Sequence, residues 1–306
     1  MGAVILGIAA PASQGTTESL QPSFEAAVEV EWILVPVVVR SASEYLRGLE
    51  VDDFELRVDD HPVALDSFEN RSDAPVSLVH LQDLSGSMAL SGKLASSRRA
   101  LECFLDQVQP GDEIAMATFA SGRIQVEVPF TTELGALREA MASWRGYGTT
   151  ALHDAVSWLP DISVRERSVK RAALLISDGV DNASVLSSGT ARNMVRQAQM
   201  PVYVLGLESG SPYELNRRGE KRHRHADGLN LLAHLTGGQY HAIVGQEGLI
   251  EACRAIVEDL RAQYVLGFAT GAAGISSYRS LHVEVPGKDV TVIHRRGYTG
   301  RLPATD

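Results

Sequence analysis

Three oxygen-bearing side chains lie close together in one short turn of the sequence. Asp83, Ser85 and Ser87 follow an apolar run at residues 76–81 and precede a segment with helical periodicity, which predicts a strand-to-helix turn. In an open α/β sheet such a turn lies at the carboxyl end of a strand, where ligands usually bind. Carboxylate and hydroxyl oxygens are hard ligands that suit Mg²⁺. Gly86 allows the backbone to turn tightly enough for both hydroxyls to face one ion.

Two further loops carry oxygen ligands. A Gly-containing loop at residues 145–150 includes Thr149 and Thr150, and Asp178 follows an apolar run at residues 172–177. That run has no polar alternation, which favours a central strand covered on both faces. If the sheet is parallel there, the turns lie at one edge, and two carboxylates, two seryl hydroxyls and a threonyl hydroxyl converge. Such a set suits octahedral coordination completed by water.

Each of these patterns also has a simpler interpretation. Ser, Thr and Asp at the ends of strands are common helix caps, and each loop alone predicts a cap more readily than a metal ligand. Asp154 fits that cap interpretation. The metal interpretation depends on three loops carrying suitable oxygens at the same edge of a sheet.

From residue 76 onward, strands alternate with helices. Apolar residues recur on one helical face after the first turn and again at residues 134–144, and a short helix is predicted at residues 152–159, ended by Pro160. The link at residues 120–123 is long enough only for a hairpin, so the strand after it should be antiparallel and at the edge. We therefore predict an α/β, Rossmann-like, doubly wound and mostly parallel six-stranded sheet with one antiparallel edge strand.

The two ends of the sequence have a β pattern instead. Strands are predicted before residue 70, one of them an edge or bulged strand because it contains Pro36, and again after residue 263. Two or three strands alone are marginally stable, so we expect both ends to pair into one small β-sandwich. The expected organisation is a leader at 1–24, a β segment at 25–70, an α/β domain at 74–262 and a second β segment at 263–300.

Composition restricts the class of partner. The chain has 306 residues and a net charge of −10, which argues against nucleic acid because phosphate neutralisation needs a basic surface. A basic run at residues 217–225 is predicted to be a solvated loop, with a docking patch for an acidic partner or a protease-sensitive site as the alternatives. No apolar run approaches the roughly 18 residues needed to span a bilayer.

The N-terminus and the cysteines concern localisation. Residues 3–10 are apolar and are followed by Ala10-Pro11-Ala12, which resembles the end of a secretory signal. The basic start of such a signal is lacking, which a truncated signal or a wrongly assigned start would explain. We predict export to the periplasm, the cell surface or the medium; a disordered tail is the alternative. Cys103 and Cys253 lie on predicted helices, either as buried free thiols or, in an oxidising compartment, as a disulfide.

Three segments together resemble a known family. Residues 83–88, Asp-Leu-Ser-Gly-Ser-Met, resemble the D-x-S-G-S-M signature of von Willebrand factor A domains. Residues 176–179, Ile-Ser-Asp-Gly, are similar to the second aspartate motif of these domains, and residues 148–155 resemble their threonine motif. Flanking segments at residues 48–54, 235–238, 260–268 and 296–298 resemble a bacterial VWFA-related family frequent in Acidobacteria.

The resemblance implies a metal-ion-dependent adhesion site. Ser85, Ser87 and Thr150 would bind the ion directly, Asp83 and Asp178 would act largely through water, and a carboxylate of a partner protein would take an open position. Mg²⁺ is the expected ion, with Mn²⁺ or Ca²⁺ as alternatives. This sequence departs from the motif in two places: Thr149 replaces a glycine, which stiffens the loop and leaves the choice between Thr149 and Thr150 open, and His153 replaces a tyrosine.

We therefore expect an exported, non-enzymatic protein–protein interaction or adhesion module that binds its partner through a divalent ion. One alternative is a structural or assembly scaffold that binds no metal. A metal-dependent hydrolase is a further alternative, but the sequence has no H-E-x-x-H, G-x-S-x-G or Walker A motif. The partner protein is not identified by the sequence.

Overall fold

The structure is a computed structural model that describes residues 31–42, 44–163, 168–207, 219–270 and 277–299. The predicted leader at residues 1–24 and the start of the predicted N-terminal β segment lie outside these ranges. No helix in the described part of the chain is long and apolar enough to cross a membrane.

The described residues begin and end in β structure and alternate between strands and helices in the middle. The strands are β1 (Glu31–Ser41), β2 (Glu44–Tyr45), β3 (Glu55–Val58), β4 (His61–Val63), β5 (Ser67–Glu69), β6 (Val76–Asp83), β7 (Glu113–Ala120), β8 (Arg123–Thr131), β9 (Lys170–Ser177), β10 (Val202–Leu207), β11 (Tyr240–Ile243), β12 (Tyr264–Thr270), β13 (Tyr278–Glu284), β14 (Thr291–His294) and β15 (Gly297–Thr299). The helices are α1 (Lys93–Leu105), α2 (Leu134–Ser143), α3 (Leu152–Ser157), α4 (Leu159–Ser163), α5 (Ser188–Val195), α6 (Gly219–Thr236) and α7 (Gly245–Ala262).

The central sheet has six strands in the order β11-β10-β9-β6-β7-β8. Every neighbouring pair is parallel except β7 and β8, which form the predicted hairpin at the edge. On one face, side chains such as Leu78 and Leu174 pack against α1, α2 and α7. On the other face, side chains such as Val79 and Leu175 pack against α3, α5 and α6. The predicted doubly wound α/β fold is therefore confirmed.

The flanking strands form two small sheets. One has the order β14-β1-β12-β5 with β2 also paired to β1, and the other has the order β15-β13-β3-β4. Apolar side chains of both sheets, among them Ile33, Leu56 and Leu281, share one buried core. Strands from both ends of the chain thus form the predicted β-sandwich.

Three local predictions were wrong. The sequence predicts an edge or bulged strand at Pro36, yet β1 lies between β14 and β12. Proline is tolerated there because β14 pairs with β1 only from Val37 onward, so β1 has a single neighbour at Pro36. Pro160 does not end a helix but lies in the first turn of α4, where the backbone needs no N–H donor. The basic run predicted as a loop is helical from Gly219 onward.

Asp112 connects the beginning and the end of the α/β unit. Its carboxylate accepts hydrogen bonds from the backbone N–H of Val76 at 2.8 Å and from the guanidinium of Arg261 at 3.2 Å. Val76 begins β6, and Arg261 lies in the last turn of α7. A second ion pair, between Arg40 of β1 and buried Asp259 of α7 at 2.5 Å, connects this unit to the sandwich.

A disulfide joins Cys103 of α1 to Cys253 of α7, with a Cα–Cα distance of 6.5 Å. The two helices pack against each other on the same face of the sheet. Of the two sequence-based alternatives for these cysteines, the structure contains the disulfide.

We expect the double variant Cys103→Ala/Cys253→Ala to lose about 2–5 kcal/mol of unfolding free energy, because the bond closes a long loop in the unfolded chain. The two cysteines are separated by 150 positions. Urea denaturation followed by circular dichroism, with and without dithiothreitol, measures the loss. Dithiothreitol should destabilise the wild type and leave the double variant unchanged; an equal effect on both proteins would contradict the assignment.

We expect acid to destabilise the protein through His80. This side chain is fully buried beside Trp144, and neither ring nitrogen has a hydrogen-bond partner among the described residues. Burial lowers the pKa of His80 to about 3, whereas an unfolded histidine has a pKa of about 6.5. Between these values only the unfolded state binds the proton, so stability falls as the pH falls below about 6.5.

The variant His80→Phe keeps an aromatic ring beside Trp144 and removes the titrating group. The difference in unfolding free energy between variant and wild type should shift in favour of the variant by about 2 kcal/mol from pH 8 to pH 5. Chemical denaturation at both pH values measures this shift. A difference that stays constant with pH would show that His80 is not buried in the neutral form.

Candidate metal centre

The first site loop begins where β6 ends. Asp83 is the last residue of β6, and its carboxylate has no exposed surface. It accepts hydrogen bonds from the backbone N–H of Ser85 at 2.8 Å and from the hydroxyl of Ser177, on neighbouring β9, at 2.6 Å. The carboxylate is therefore held in one position by its own turn and by the adjacent strand.

The two seryl hydroxyls of this loop face each other. The Oγ atoms of Ser85 and Ser87 are 3.2 Å apart. Ser85 is buried and Ser87 is half-buried at the start of a 3₁₀ turn, Gly86–Ala89. Both oxygens therefore lie close enough together to contact one small ion.

The second site loop is bonded to the first through the backbone. Gly86 N–H donates to the carbonyl of Gly148 at 3.0 Å, and Tyr147 N–H donates to the carbonyl of Leu84 at 2.8 Å. Position 148 favours glycine, because its φ is +66° and a Cβ would lie 1.7 Å from the hydroxyl oxygen of Ser121. The loop is thus brought directly over the turn that carries the seryl hydroxyls.

The structure distinguishes between the two threonines of this loop. Thr150 is buried, whereas Thr149 is exposed. The backbone N–H of Thr150 donates to the side-chain oxygen of Asn182 at 2.9 Å, and its carbonyl accepts from the N–H of Asn182 at 3.0 Å. Thr150 is therefore the better candidate ligand, and the second loop is fastened to the third.

The third site loop follows β9 and carries Asp178. The ammonium of Lys93, in the first turn of α1, lies 2.7 Å from the Asp178 carboxylate, and both side chains are almost fully buried. Lys93 was not among the residues predicted from the sequence. A signal was present: Lys93 is the only charged residue in positions 84–97, and a cation at the start of a helix opposes the helix dipole.

The other polar residues singled out near the site hold loops in place. Asp154 does not cap α3, whose N-cap is Ala151; instead its carboxylate accepts from the N–H groups of Val185 and Leu186 at 3.0 and 2.9 Å. His153 lies with its ring 3.4 Å from the Asp181 carboxylate. The sequence-based cap interpretation of Asp154 was therefore wrong.

The electrostatics of the site favour a bound cation. Burial raises the pKa of Asp83 to about 6, and the nearby charge of Asp178 acts in the same direction, although hydrogen bonds from Ser177 and Ser85 oppose the rise. A buried carboxylate of this kind is stabilised by a positive charge at short range. Lys93 supplies one such charge, next to Asp178.

The available donors fit a hard ion. Within the described ranges, no group of three or more His, Cys, Asp or Glu side chains is arranged to hold a metal. An ion here would therefore depend on the hydroxyls of Ser85, Ser87 and Thr150 as much as on the two carboxylates. All five are oxygen donors, and oxygen donors match the preference of Mg²⁺.

A doubly wound sheet with three oxygen-bearing loops at one edge defines a recognisable class of domain. Residues 78–180 match the family model of the von Willebrand factor type A domain. The matched stretch runs from β6 to the third site loop and contains all five candidate residues. The matched stretch is therefore a von Willebrand factor type A domain, which confirms the resemblance of its motifs. The closer relation to the family frequent in Acidobacteria stays a prediction.

Comparison with solved structures found similar folds at low identity. They include a von Willebrand factor type A protein from Catenulispora acidiphila (14% identity, 81% of this chain and 74% of that chain covered, TM-score 0.49). They also include the vWF domain of the type V pili tip protein Mfa5 from Porphyromonas gingivalis (12% identity, 61% of this chain and 95% of that chain covered, TM-score 0.48). A third is an aerotolerance-related membrane protein from Bacteroides fragilis (19% identity, 60% of this chain and 98% of that chain covered, TM-score 0.46). Because these TM-scores lie below 0.5, no property of those proteins is transferred to this chain. No curated protein matched the sequence.

We expect Lys93→Met to cost about 3–5 kcal/mol of unfolding free energy in metal-free buffer, because it leaves the Asp178 charge buried without a partner. Lys288→Met is the matched control, since Lys288 pairs with Asp53 at 2.9 Å on the surface, with both side chains more than 30% exposed. Loss of an exposed pair costs less than about 1 kcal/mol. Urea denaturation of the three proteins measures both losses, and equal losses would contradict the role given to Lys93.

Proposed function

We propose that this chain is a non-enzymatic protein-interaction module that binds an acidic side chain of its partner through a divalent metal ion. The ion would be held by Asp83, Ser85, Ser87, Thr150 and Asp178. Mg²⁺ is the natural ion for these oxygen donors, with Mn²⁺ and Ca²⁺ as alternatives. The observation that carries the proposal is the hydrogen bonding of three loops around the buried Asp83 carboxylate. When bound, the ion would supply a positive charge that attracts a carboxylate of the partner.

Apolar side chains around the site support a protein partner. Leu90, Tyr147, Val180 and Val185 belong to the three site loops or follow them directly, and 63%, 53%, 37% and 92% of their respective surfaces are exposed. Exposed apolar side chains grouped around a polar centre are typical of protein-binding surfaces. The expected partner therefore contributes apolar contacts as well as a carboxylate.

Export is supported by the disulfide between Cys103 and Cys253. Disulfides persist in oxidising compartments and are rare in the reducing cytosol. The protein is accordingly proposed to act in the periplasm, at the cell surface or in the medium. The apolar segment near the N-terminus agrees with this proposal.

A metal-free scaffold is the second candidate, because Lys93 already supplies a cation inside the site. The Lys93 ammonium occupies a position 2.7 Å from one of the two carboxylates on which the metal proposal depends. If this internal ion pair alone neutralises the negative charge of the site, the three loops serve packing and assembly, and the partner binds without a metal.

Calorimetric titration with Mg²⁺ and with Mn²⁺ separates the two candidates. The wild type should give saturable binding, and Asp83→Asn should give none, because the amide keeps the size and acceptor oxygen of the carboxylate but removes its charge. Asp53→Ala, which removes an exposed carboxylate on the sandwich, should bind like the wild type. If the wild type and Asp83→Asn behave alike, the metal proposal fails and the scaffold remains.

A further inference from the structure

A cleft of about 420 Å³ opens beside the candidate metal centre, between α3, α5 and α6. Gly179 and Asp181, from the loop that carries Asp178, line one side of it. Leu152 and His153, which follow Thr150 closely in the chain, line another. The cleft therefore shares the third site loop with the site and lies next to the end of the second, so a ligand that reaches one can extend into the other.

The bottom of the cleft is apolar. Leu152, Val156, Leu229 and Leu232 are almost fully buried where they line it. Its volume lies in the range of ordinary ligand pockets, which is about 300–1,000 Å³. It can take an aliphatic side chain together with part of an extended backbone.

Two charged side chains lie at the mouth of the cleft, and only the acidic one has hydrogen-bond partners among the described residues. The carboxylate of Asp181 accepts hydrogen bonds from the hydroxyl of Ser184 at 2.5 Å and from the N–H of His153 at 3.0 Å. Arg192, half-buried on α5, lines the same cleft and forms no ion pair or hydrogen bond with any residue of the chain that the structure describes. Within the described part of the chain, the cleft therefore presents a guanidinium without a partner beside a carboxylate that is already hydrogen-bonded.

We propose that the cleft binds a second acidic residue of the partner, whose carboxylate pairs with Arg192 while an aliphatic side chain between the two acidic residues fills the apolar bottom. This inference rests on the proposed function for the first carboxylate, the one bound through the metal ion. The partner is thus an extended protein segment with two carboxylates flanking an aliphatic residue.

A carboxylate fits this position better than a phosphate does. The planar guanidinium of arginine pairs with a carboxylate through two parallel hydrogen bonds. Asp181 keeps a negative charge in the same cleft, and like charges repel more strongly when the ligand carries two charges than when it carries one. A singly charged acidic side chain is therefore the preferred occupant.

Peptide display on the whole chain tests the inference. A random twelve-residue library is selected on immobilised wild-type protein in Mg²⁺, and the selected peptides are measured by fluorescence anisotropy against variants. The peptides should contain two acidic residues separated by a short spacer with an aliphatic residue. Arg192→Glu should weaken their binding by at least about tenfold, the usual effect of losing a charged hydrogen bond.

Arg254→Glu is the matched control, because Arg254 is exposed on α7 and α7 packs on the opposite face of the sheet. It makes the same change in net charge and should leave binding unchanged. Replacing the second acidic residue of a selected peptide by lysine should restore its binding to Arg192→Glu and abolish its binding to the wild type.

The outcomes separate this inference from the proposed function. Peptides that require Mg²⁺ and Asp83 but bind Arg192→Glu as tightly as the wild type would overturn the inference and leave the metal proposal intact. Peptides that bind without Mg²⁺ and to Asp83→Asn would overturn the proposed function, and the inference with it. Failure to select any peptide would count against both.

Discussion

The hydrogen bond from the Ser177 hydroxyl to the Asp83 carboxylate is the interaction on which the site geometry depends. It joins the last residues of two neighbouring parallel strands at 2.6 Å, and both residues are fully buried. A buried carboxylate is costly unless it is hydrogen-bonded or paired. Asp83 meets that requirement through Ser177 and the backbone of Ser85, with the Lys93–Asp178 ion pair close by. The same contacts that lower this cost also fix where the site loops begin.

The second and third site loops are held to this turn by hydrogen bonds of the backbone and of Asn182, and not by the side chains of the candidate ligands. Gly148 and Tyr147 bond the second loop to the turn after Asp83, and Asn182 bonds the third loop to Thr150. Candidate ligands are thus held by groups that would not touch an ion. The hydroxyl oxygens of Ser85 and Ser87 are therefore not needed to hold the loops together, and they can bind an ion.

Much of the architecture could be predicted because it depends on local patterns of apolar and polar residues in the sequence. Alternation of apolar runs and helical faces predicts the central sheet, and the short link before Arg123 predicts its antiparallel edge. Four of the five candidate ligands follow from residue type and strand ends, whereas the choice of Thr150 over Thr149 needed the structure. The partners of those ligands could not be predicted, since Lys93 meets Asp178 and Asn182 meets Thr150 across 85 and 32 positions of sequence. Such pairings are set by packing, and one sequence contains no direct record of them.

The prolines show the same limit from the other direction. Pro36 and Pro160 each restrict the local backbone and remove one N–H donor. Whether the missing donor ends an element depends on its surroundings. At Pro36 the neighbouring strand β14 is not paired, so no donor is needed on that side. Pro160 lies in the first turn of α4, where backbone N–H groups have no partner within the helix. Local chemistry limits what is possible, and tertiary structure selects among the remaining options.

The pairing of β5 with β12 has a consequence for how the chain folds. Glu69 and Val265 are partners in an antiparallel ladder, so these two strands form a hairpin whose loop is an entire α/β domain. Closing a flexible loop costs an entropy that rises with the logarithm of its length. Once the domain has folded, Asp112 holds its first strand to its last helix, so the ends of the loop are already close together. We therefore expect the sandwich to be completed at low entropic cost only after the inserted domain has formed.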